Sequence, residues 1–370
     1  MVDNVSVMRS KSNLELEKTE LVIGYIPLTD CAPLVTAVKL GLDQKHGLKI
    51  RLQSGSSWAS IRDRLIIGEL DAAHILYGMV YGIHLGIGGI QQKMSVLMTL
   101  NQNGQGITLS KQLLGLGIHD GASLAEYIHA HPRELRFAQT FPTGTHAMWL
   151  YTWLASLGVD PLNEVELVVL PPPEMGNHML SGQIHGFCAG EPWNARAIRD
   201  GVGFSVVASQ DIWPNHPEKV LGTTKEFVSK FPNTAQALVE CILEACRYID
   251  EPAHCEEVVR WMVEDGYVNA TMADILPRFL GVYENGLGGC TVTKHPIRFH
   301  DEGSVNFPYL SDGAWFVDQF KRWGMFSKNK DALAVAAEVS EIALYKRAAQ
   351  SMGVALPDSE MRSVNVVNGS

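Results

Sequence analysis

Short apolar runs alternate along this chain with segments whose apolar residues recur at helical spacing, and turn residues separate the two kinds. Residues 21–26 (LVIGYI) predict a β-strand. PLTD follows, where Thr29 or Asp30 can cap a helix over 32–41, with Gly41 at the position of a C-terminal glycine. Residues 48–52 predict a second strand. Ser57 then caps a helix in which Trp58, Ile61 and Leu65 share one face, Gly68 ends it, and residues 72–76 form a third strand.

The same order returns further on. Residues 135–139 read as a strand, TFPTGTH as a loop and 147–157 as a helix stopped by Gly158. A strand over 165–170, a short helix led in by PPP and ended by Gly182, and a strand over 184–188 complete the unit. The closing stretches align: LIIGELDAAHI (65–75) against MLSGQIHGFCA (179–189). Two β-α-β-α-β units predict two α/β lobes of related topology, although local likeness of this kind also follows from the common grammar of α/β units. Beyond residue 221 the pattern turns helical, with helices expected over 231–248, 255–265, 314–323 and 331–349. The resulting division is a flexible leader over 1–20, a discontinuous first lobe over 21–108 and 221–349, a second lobe over 109–220, and a frayed polar tail over 350–370.

Composition narrows the function. At 370 residues with 46% hydrophobic and 19% charged residues, the chain can bury two ordinary domains. Its longest apolar stretch, 78–90, carries His84 and five glycines and falls short of the roughly 18 residues of a membrane span. A net charge of −10 argues against a broad nucleic-acid surface. The six cysteines form no C-x-x-C pair, and neither Asp71 with His74 nor His178 with His185 makes a metal-ligand set, so no metal is expected. GIHLGIGGI and NGLGGC lack the order of a dinucleotide fingerprint and no phosphate loop occurs, so no cofactor is expected. No Ser–His–Asp or paired-carboxylate arrangement is legible, and Cys188 stands alone in HGFCAGEP, which argues against an enzyme. The leader MVDNVSVMRSKSNLELEKTE is interrupted by Asp3, Glu15, Glu17 and Glu20 and does not have the apolar run of about 7–15 residues of an export signal. It predicts a cytoplasmic protein with reduced thiols.

Ligands of open α/β lobes sit beyond the carboxyl ends of strands, against helix N-termini whose N–H groups have no partner within the helix. IPLTDCAP, QSGSSW and TFPTGTH are three loops of that kind, and two such lobes face to face make a natural anion site. Their side chains are mostly donors: Trp58 offers an indole N–H and His146 an imidazole N–H. Gln105 in NQNGQG and Lys219 in HPEKVLG stand near the expected crossovers between lobes. Each has a plainer reading, as core tryptophan, helix cap, turn residue and solvated lysine respectively.

The strings TDCAPL, SSWASIRDRLIIGELDAAHIL, NQNGQGITLSK, FPTGTHAMWLYTWLASLGVDP, VVLPPPEM, GEPWN and WPNHPEKVLG, in that order over about residues 20–285, resemble the periplasmic nitrate- and bicarbonate-binding proteins of ABC transporters. The resemblance implies a type II periplasmic-binding-protein fold, two α/β lobes joined by crossover strands with an anion site in the cleft. It places the nitrate contacts on Trp58, Gln105, His146 and Lys219, supported around the cleft by Thr29, Gly104, Thr145, Gly190, Glu191 and Pro192. Lys219 bears on the anion: nitrate has only acceptor oxygens, whereas bicarbonate also carries an O–H donor, and the bicarbonate-binding relatives do not have lysine there. Nitrite should fit as a weaker or comparable ligand. Glu191 is the acid expected nearest the site, paired with a cation or backbone N–H groups so as to orient its loop.

Together with the polar leader, the chain resembles a cytoplasmic nitrate/nitrite sensor of the NasS type. That resemblance implies a partner, an RNA-binding antiterminator of the ANTAR class (NasT type), held by the sensor and released when nitrate or nitrite binds. The alternative is the substrate-binding component of a nitrate or bicarbonate ABC transporter, through a misassigned start or a fusion. Thiamine-pyrimidine synthases share the fold but carry clustered cysteines and an iron-linked histidine set that this chain does not match.

Overall fold

The computed structural model describes residues 15–327 and 329–366; the start of the leader and the last four residues lie outside them. Ten strands build two five-stranded sheets. They are β1 (Glu20–Tyr25), β2 (Lys49–Ser54), β3 (Ala72–Leu76), β4 (Met94–Thr99), β5 (Gln105–Ser110), β6 (Arg136–Gln139), β7 (Glu166–Val169), β8 (Gly186–Gly190), β9 (Gly203–Ala208) and β10 (Lys219–Thr224). The first sheet runs β2-β1-β3-β10-β4 and the second β7-β6-β8-β5-β9. In each, three parallel strands come from one β-α-β-α-β unit, and the fourth runs antiparallel to its neighbours. That fourth strand is exchanged between units: β5 follows the first unit yet enters the second sheet, and β10 follows the second unit and returns to the first. The aligned stretches noted in the sequence end in β3 and β8, which hold the same place in their sheets.

The exchange moves the expected lobe limits. All of β5 belongs to the second lobe and β10 to the first, so the chain crosses over near 100–104 and 213–218 rather than at 108 and 220. β5 (QGITLS) is buried along its whole length and β10 (KVLGTT) in all but its last residue although both carry several polar side chains, and such a pattern does not say which sheet takes them.

Apolar clusters cover the sheets. On one face of the first sheet Leu21, Ile23, Val35, Leu238, Ile242 and Tyr345 join helices Ala32–Lys39, Pro232–Ile249 and Ile342–Ser351. A second cluster is continuous between the lobes, and Trp149 of the second lobe stacks on Trp315 of helix Leu310–Arg322 at 5.1 Å between ring centres. No described helix is long and apolar enough to cross a membrane.

Three terminal expectations change. Residues 15–19 are not loose. The Glu17 carboxylate accepts the N–H groups of Asn233 (3.1 Å) and Thr234 (2.9 Å), capping helix Pro232–Ile249, and Lys18 Nζ lies 2.6 Å from Asp71 Oδ1. The single helix expected over 331–349 is two, Ala332–Val339 and Ile342–Ser351. Between them Ser340 turns extended and bridges Val96, and Glu341 N–H donates to the Val96 carbonyl at 2.9 Å. The edge strand β4 thereby finds a partner. The tail is docked through its described residues: Arg362 Nε donates to Asp312 Oδ1 at 2.8 Å, and Leu310 N–H to the Glu360 carbonyl at 2.9 Å. Asp312 is buried, and a buried carboxylate requires such a cation.

Candidate functional site

The two lobes meet along the carboxyl ends of their parallel strands. Thr29 N–H in the first lobe donates to the Glu191 carbonyl in the second at 2.8 Å. Several close approaches there depend on glycine. A Cβ on Gly78 would stand 2.5 Å from the Thr143 carbonyl oxygen across the cleft, and one on Gly190 would stand 2.7 Å from Gln105 Oε1 and 3.2 Å from Leu28 Cδ1.

Four chain segments deliver the central side chains. Trp58 opens helix Trp58–Ile66, where Ser57 Oγ accepts from Ser60 N–H at 3.2 Å and sets the first turn. Gln105 opens β5, and Lys219 opens β10, so both exchanged strands begin at the site. His146 is the second residue of helix Thr145–Ser156, whose N-cap is Gly144. All four side chains are fully buried.

They form one network. His146 Nε2 is 2.9 Å from Gln105 Oε1 and 3.5 Å from Lys219 Nζ, while His146 Nδ1 is 2.7 Å from Thr140 Oγ1. The carboxamide acceptor assigns the His146 proton to Nε2, with Nδ1 accepting from the threonine hydroxyl. Lys219 Nζ stands 5.7 Å from the centre of the Trp58 ring. Trp58 Nε1 is buried with no hydrogen-bond partner among the described residues, and so is Thr29 Oγ1.

Carboxylates enter where donors alone were expected. Lys219 Nζ donates to Asp30 Oδ2 at 2.7 Å and to Glu218 Oε1 at 2.8 Å. Asp30 also accepts from His74 Nε2 (2.7 Å) and Gln105 Nε2 (3.2 Å). Glu218 accepts from the Thr145 hydroxyl and from Trp149 Nε1, the latter at 2.7 Å. The expectation that Glu191 is the nearest acid is therefore corrected: Asp30 and Glu218 touch Lys219, and Glu191 does not. Their sequence signals were slight. Asp30 reads as a helix cap, Glu218 as a surface acid beside lysine, and His74 is a lone polar residue inside an apolar strand.

Burial acts on every group here, and so do the charges beside it. It pushes Asp30 up, but Lys219 and His74 outweigh it and hold the carboxyl below the ordinary aspartate value. Burial raises Glu218 above the ordinary glutamate value even against Lys219. Burial, with Lys219 beside it, drives His146 well below the ordinary histidine value, and burial also lowers His74. For Lys219 burial acts downward, yet the two carboxylates keep it above its usual value. The centre holds one ammonium, one firm carboxylate, one weak carboxylate and neutral imidazoles.

The supporting residues stand in different relations to this centre. Thr145 Oγ1 donates to Glu218 Oε1, and Gly190 pairs with Gln105 in the sheet. Gly104 has φ +86 and a Cβ there would meet Ile297, so its part is conformational. Glu191 precedes a cis peptide to Pro192; its Oε2 accepts from Ala195 N–H at 3.1 Å, and its Oε1 lies 3.6 Å from Arg278 Nε. No cluster of three or more His, Cys, Asp or Glu suited to a metal ion occurs among the described residues.

Comparison with known proteins matches this architecture. Residues 14–263 match the NMT1-like family. Over 357 residues the chain is 35% identical to the nitrate import ATP-binding protein NrtC of Synechocystis sp., covering 96% of this chain and 53% of that protein, so it spans about half that relative's length. It is 35% identical over 359 residues to the nitrate/nitrite binding protein NrtA of Synechococcus elongatus, covering 93% of this chain and 81% of that one. The crystal structure of the periplasmic nitrate-binding protein NrtA from Synechocystis PCC 6803 superposes with a TM-score of 0.89 at 31% identity, covering 94% of each chain. The two-lobed α/β fold is that of the periplasmic binding proteins, and the chain belongs to the NMT1-like family.

Proposed function

We propose that this protein binds a small planar oxyanion, nitrate or nitrite, between its lobes, and that it serves as the substrate-binding component of an ABC importer. One observation carries the binding reading: Trp58, Gln105, His146 and Lys219, brought from four segments and both lobes, converge at one fully buried point. An indole N–H with no partner among the described residues, an imidazole N–H and an ammonium suit a ligand that only accepts hydrogen bonds. Charge-assisted bonds worth about 1.5–3 kcal/mol each, less the cost of closing the lobes, correspond to affinity on the order of micromolar. The relatives named for nitrate import and nitrate binding support the importer assignment.

The test is calorimetric titration with nitrate, nitrite, bicarbonate and sulfate. Nitrate and nitrite should bind; bicarbonate binding without nitrate binding would overturn the reading.

The sensor of the NasS type is the second reading. It places the same anion site in a regulatory protein rather than in an importer. There the closed and open lobe arrangements differ in affinity for an ANTAR-class antiterminator of the NasT type, and the anion shifts the balance. Immobilised chain should capture that antiterminator without nitrate and release it with nitrate if this reading holds. Restored nitrate uptake in a strain deleted for its own binding protein supports the importer instead.

A further inference from the structure

We infer that the anion enters this site together with one proton, and that the Glu218 carboxylate, ion-paired with Lys219 between the lobes, is the group that takes it. This inference rests on the anion-binding reading above and names how that same site is regulated.

The geometry presents a charge problem. Lys219 is the only ammonium in the network, and two of its N–H bonds are directed at Asp30 and Glu218. With both carboxylates ionised and the imidazoles neutral, the centre already carries one net negative charge. A bound anion makes it two, in a place where every side chain of the network is buried. Like charges in such a medium are strongly disfavoured. Protonating one carboxylate returns the total to one and turns a Lys219 N–H from a carboxylate toward the ligand. Both effects favour an acceptor-only anion.

Glu218 is the carboxylate placed to change state. Asp30 accepts from Lys219, His74 and Gln105, three donors that all favour its charge. Glu218 accepts from Lys219, from the Thr145 hydroxyl and from Trp149. The hydroxyl can rotate to accept instead, so a proton on Oε1 keeps a partner. His146 Nε2 lies 3.4 Å from Glu218 Oε1 and His216 Nδ1 lies 3.8 Å from Oε2. Burial lowers both imidazoles, His216 to about 3, so neither competes for the proton. Two further groups bear on this cluster. The Cys188 thiol in β8 is raised by burial and by the Glu218 charge, and Arg362 in the C-terminal segment adds to the lowering of His216. Burial keeps the Cys188 thiol protonated near neutrality. In the step itself a solvent proton forms an O–H bond on Glu218 while the cleft is open, its carboxylate charge is cancelled, and the lobes then close on the anion.

Titrating the full chain with sodium nitrate at about pH 8.5, in Tris and in imidazole buffers of different ionisation heat, tests this. The expected result is roughly one proton taken up per anion, with affinity falling about tenfold per pH unit above the Glu218 value. Glu218→Gln should bind nitrate more tightly than wild type at that pH, with no proton uptake. Wild-type binding with no buffer dependence overturns the inference while leaving the anion-binding reading intact. Proton uptake that persists in Glu218→Gln also overturns it, since another group then takes the proton. If that variant does not fold, the same titration of Asp30→Asn and the infrared difference spectrum of the wild type decide: nitrate must convert a carboxylate to a carboxylic acid in both, and a conversion lost in Asp30→Asn overturns the inference. Absence of nitrate, nitrite and bicarbonate binding in the wild type removes both readings together.

Discussion

Lys219 Nζ lies 2.7 Å from Asp30 Oδ2, which ties the first residue of the returning strand to the first turn after β1, both fully inside the protein. This pair makes one lysine serve stability and ligand binding at once. Lys219→Met should abolish measurable nitrate binding, a loss of at least about a hundredfold, since a charge-assisted bond is worth about 1.5–3 kcal/mol and the network around it collapses. It also leaves Asp30 buried without its ammonium, which costs about 3–5 kcal/mol. Calorimetry reads the first effect and urea unfolding the second; binding within threefold of wild type contradicts the assigned role.

Trp58 separates packing from hydrogen bonding. Trp58→Phe keeps an aromatic ring against His74, whose ring centre is 5.8 Å away, and near Lys219, but removes the indole N–H. Nitrate affinity should fall about five- to tenfold, corresponding to a net hydrogen bond of about 1–1.5 kcal/mol, with little change in Tm. A large drop in Tm with unaltered affinity instead makes Trp58 a core residue only.

Closure can be blocked away from the ligand. Gly78→Ala places a methyl 2.5 Å from the Thr143 carbonyl oxygen of the opposite lobe and 2.9 Å from Phe316 Cδ1. A backbone oxygen yields less readily than a side chain, so the lobes should stop short of full contact. Small-angle scattering should then show the compaction on nitrate addition reduced, and affinity should fall about tenfold or more. Unchanged compaction and affinity show that the lobes close elsewhere.

Stability should carry a pH signature from a different place. His46 Nε2 lies 3.0 Å from Glu244 Oε2 and Nδ1 lies 3.7 Å from Glu240 Oε2, beneath helix Pro232–Ile249. Burial lowers the imidazole, but the hydrogen bonds to the two glutamates outweigh it and raise it above 6.5. A raised histidine stabilises the folded state fully below its unfolded value of about 6.5 and loses that contribution as pH rises through the higher folded value. The wild-type advantage over His46→Gln in urea midpoint should therefore shrink between about pH 6 and pH 8.5. A gap that stays constant across that range means the imidazole does not titrate as described.

Much of the architecture was legible because periodicity is local. Residues 72–76 form a strand with the expected limits, and the helix begun by Ser57 and Trp58 starts where the cap and the spacing of Ile61 and Leu65 place it. Less local choices were not legible. Whether residues 331–349 make one helix or two depends on β4 needing a partner at Ser340, a contact between residues far apart in the chain.

By itself the sequence determined two α/β units, a helical remainder and four candidate donor side chains, two at helix starts and two near the expected crossovers. Only the tertiary structure decided that β5 and β10 change sheets, and this exchange sets Gln105 and Lys219 beside His146. It also turned Asp30, His74 and Glu218 inward, converting a set of donors into a cluster of one ammonium, two carboxylates and buried imidazoles. The physical reason is the same for both. Side-chain spacing along a chain reports which face of its own element a residue occupies. The charges it meets there belong to other elements, and in a dry interior those neighbours decide its protonation and hence what it can bind.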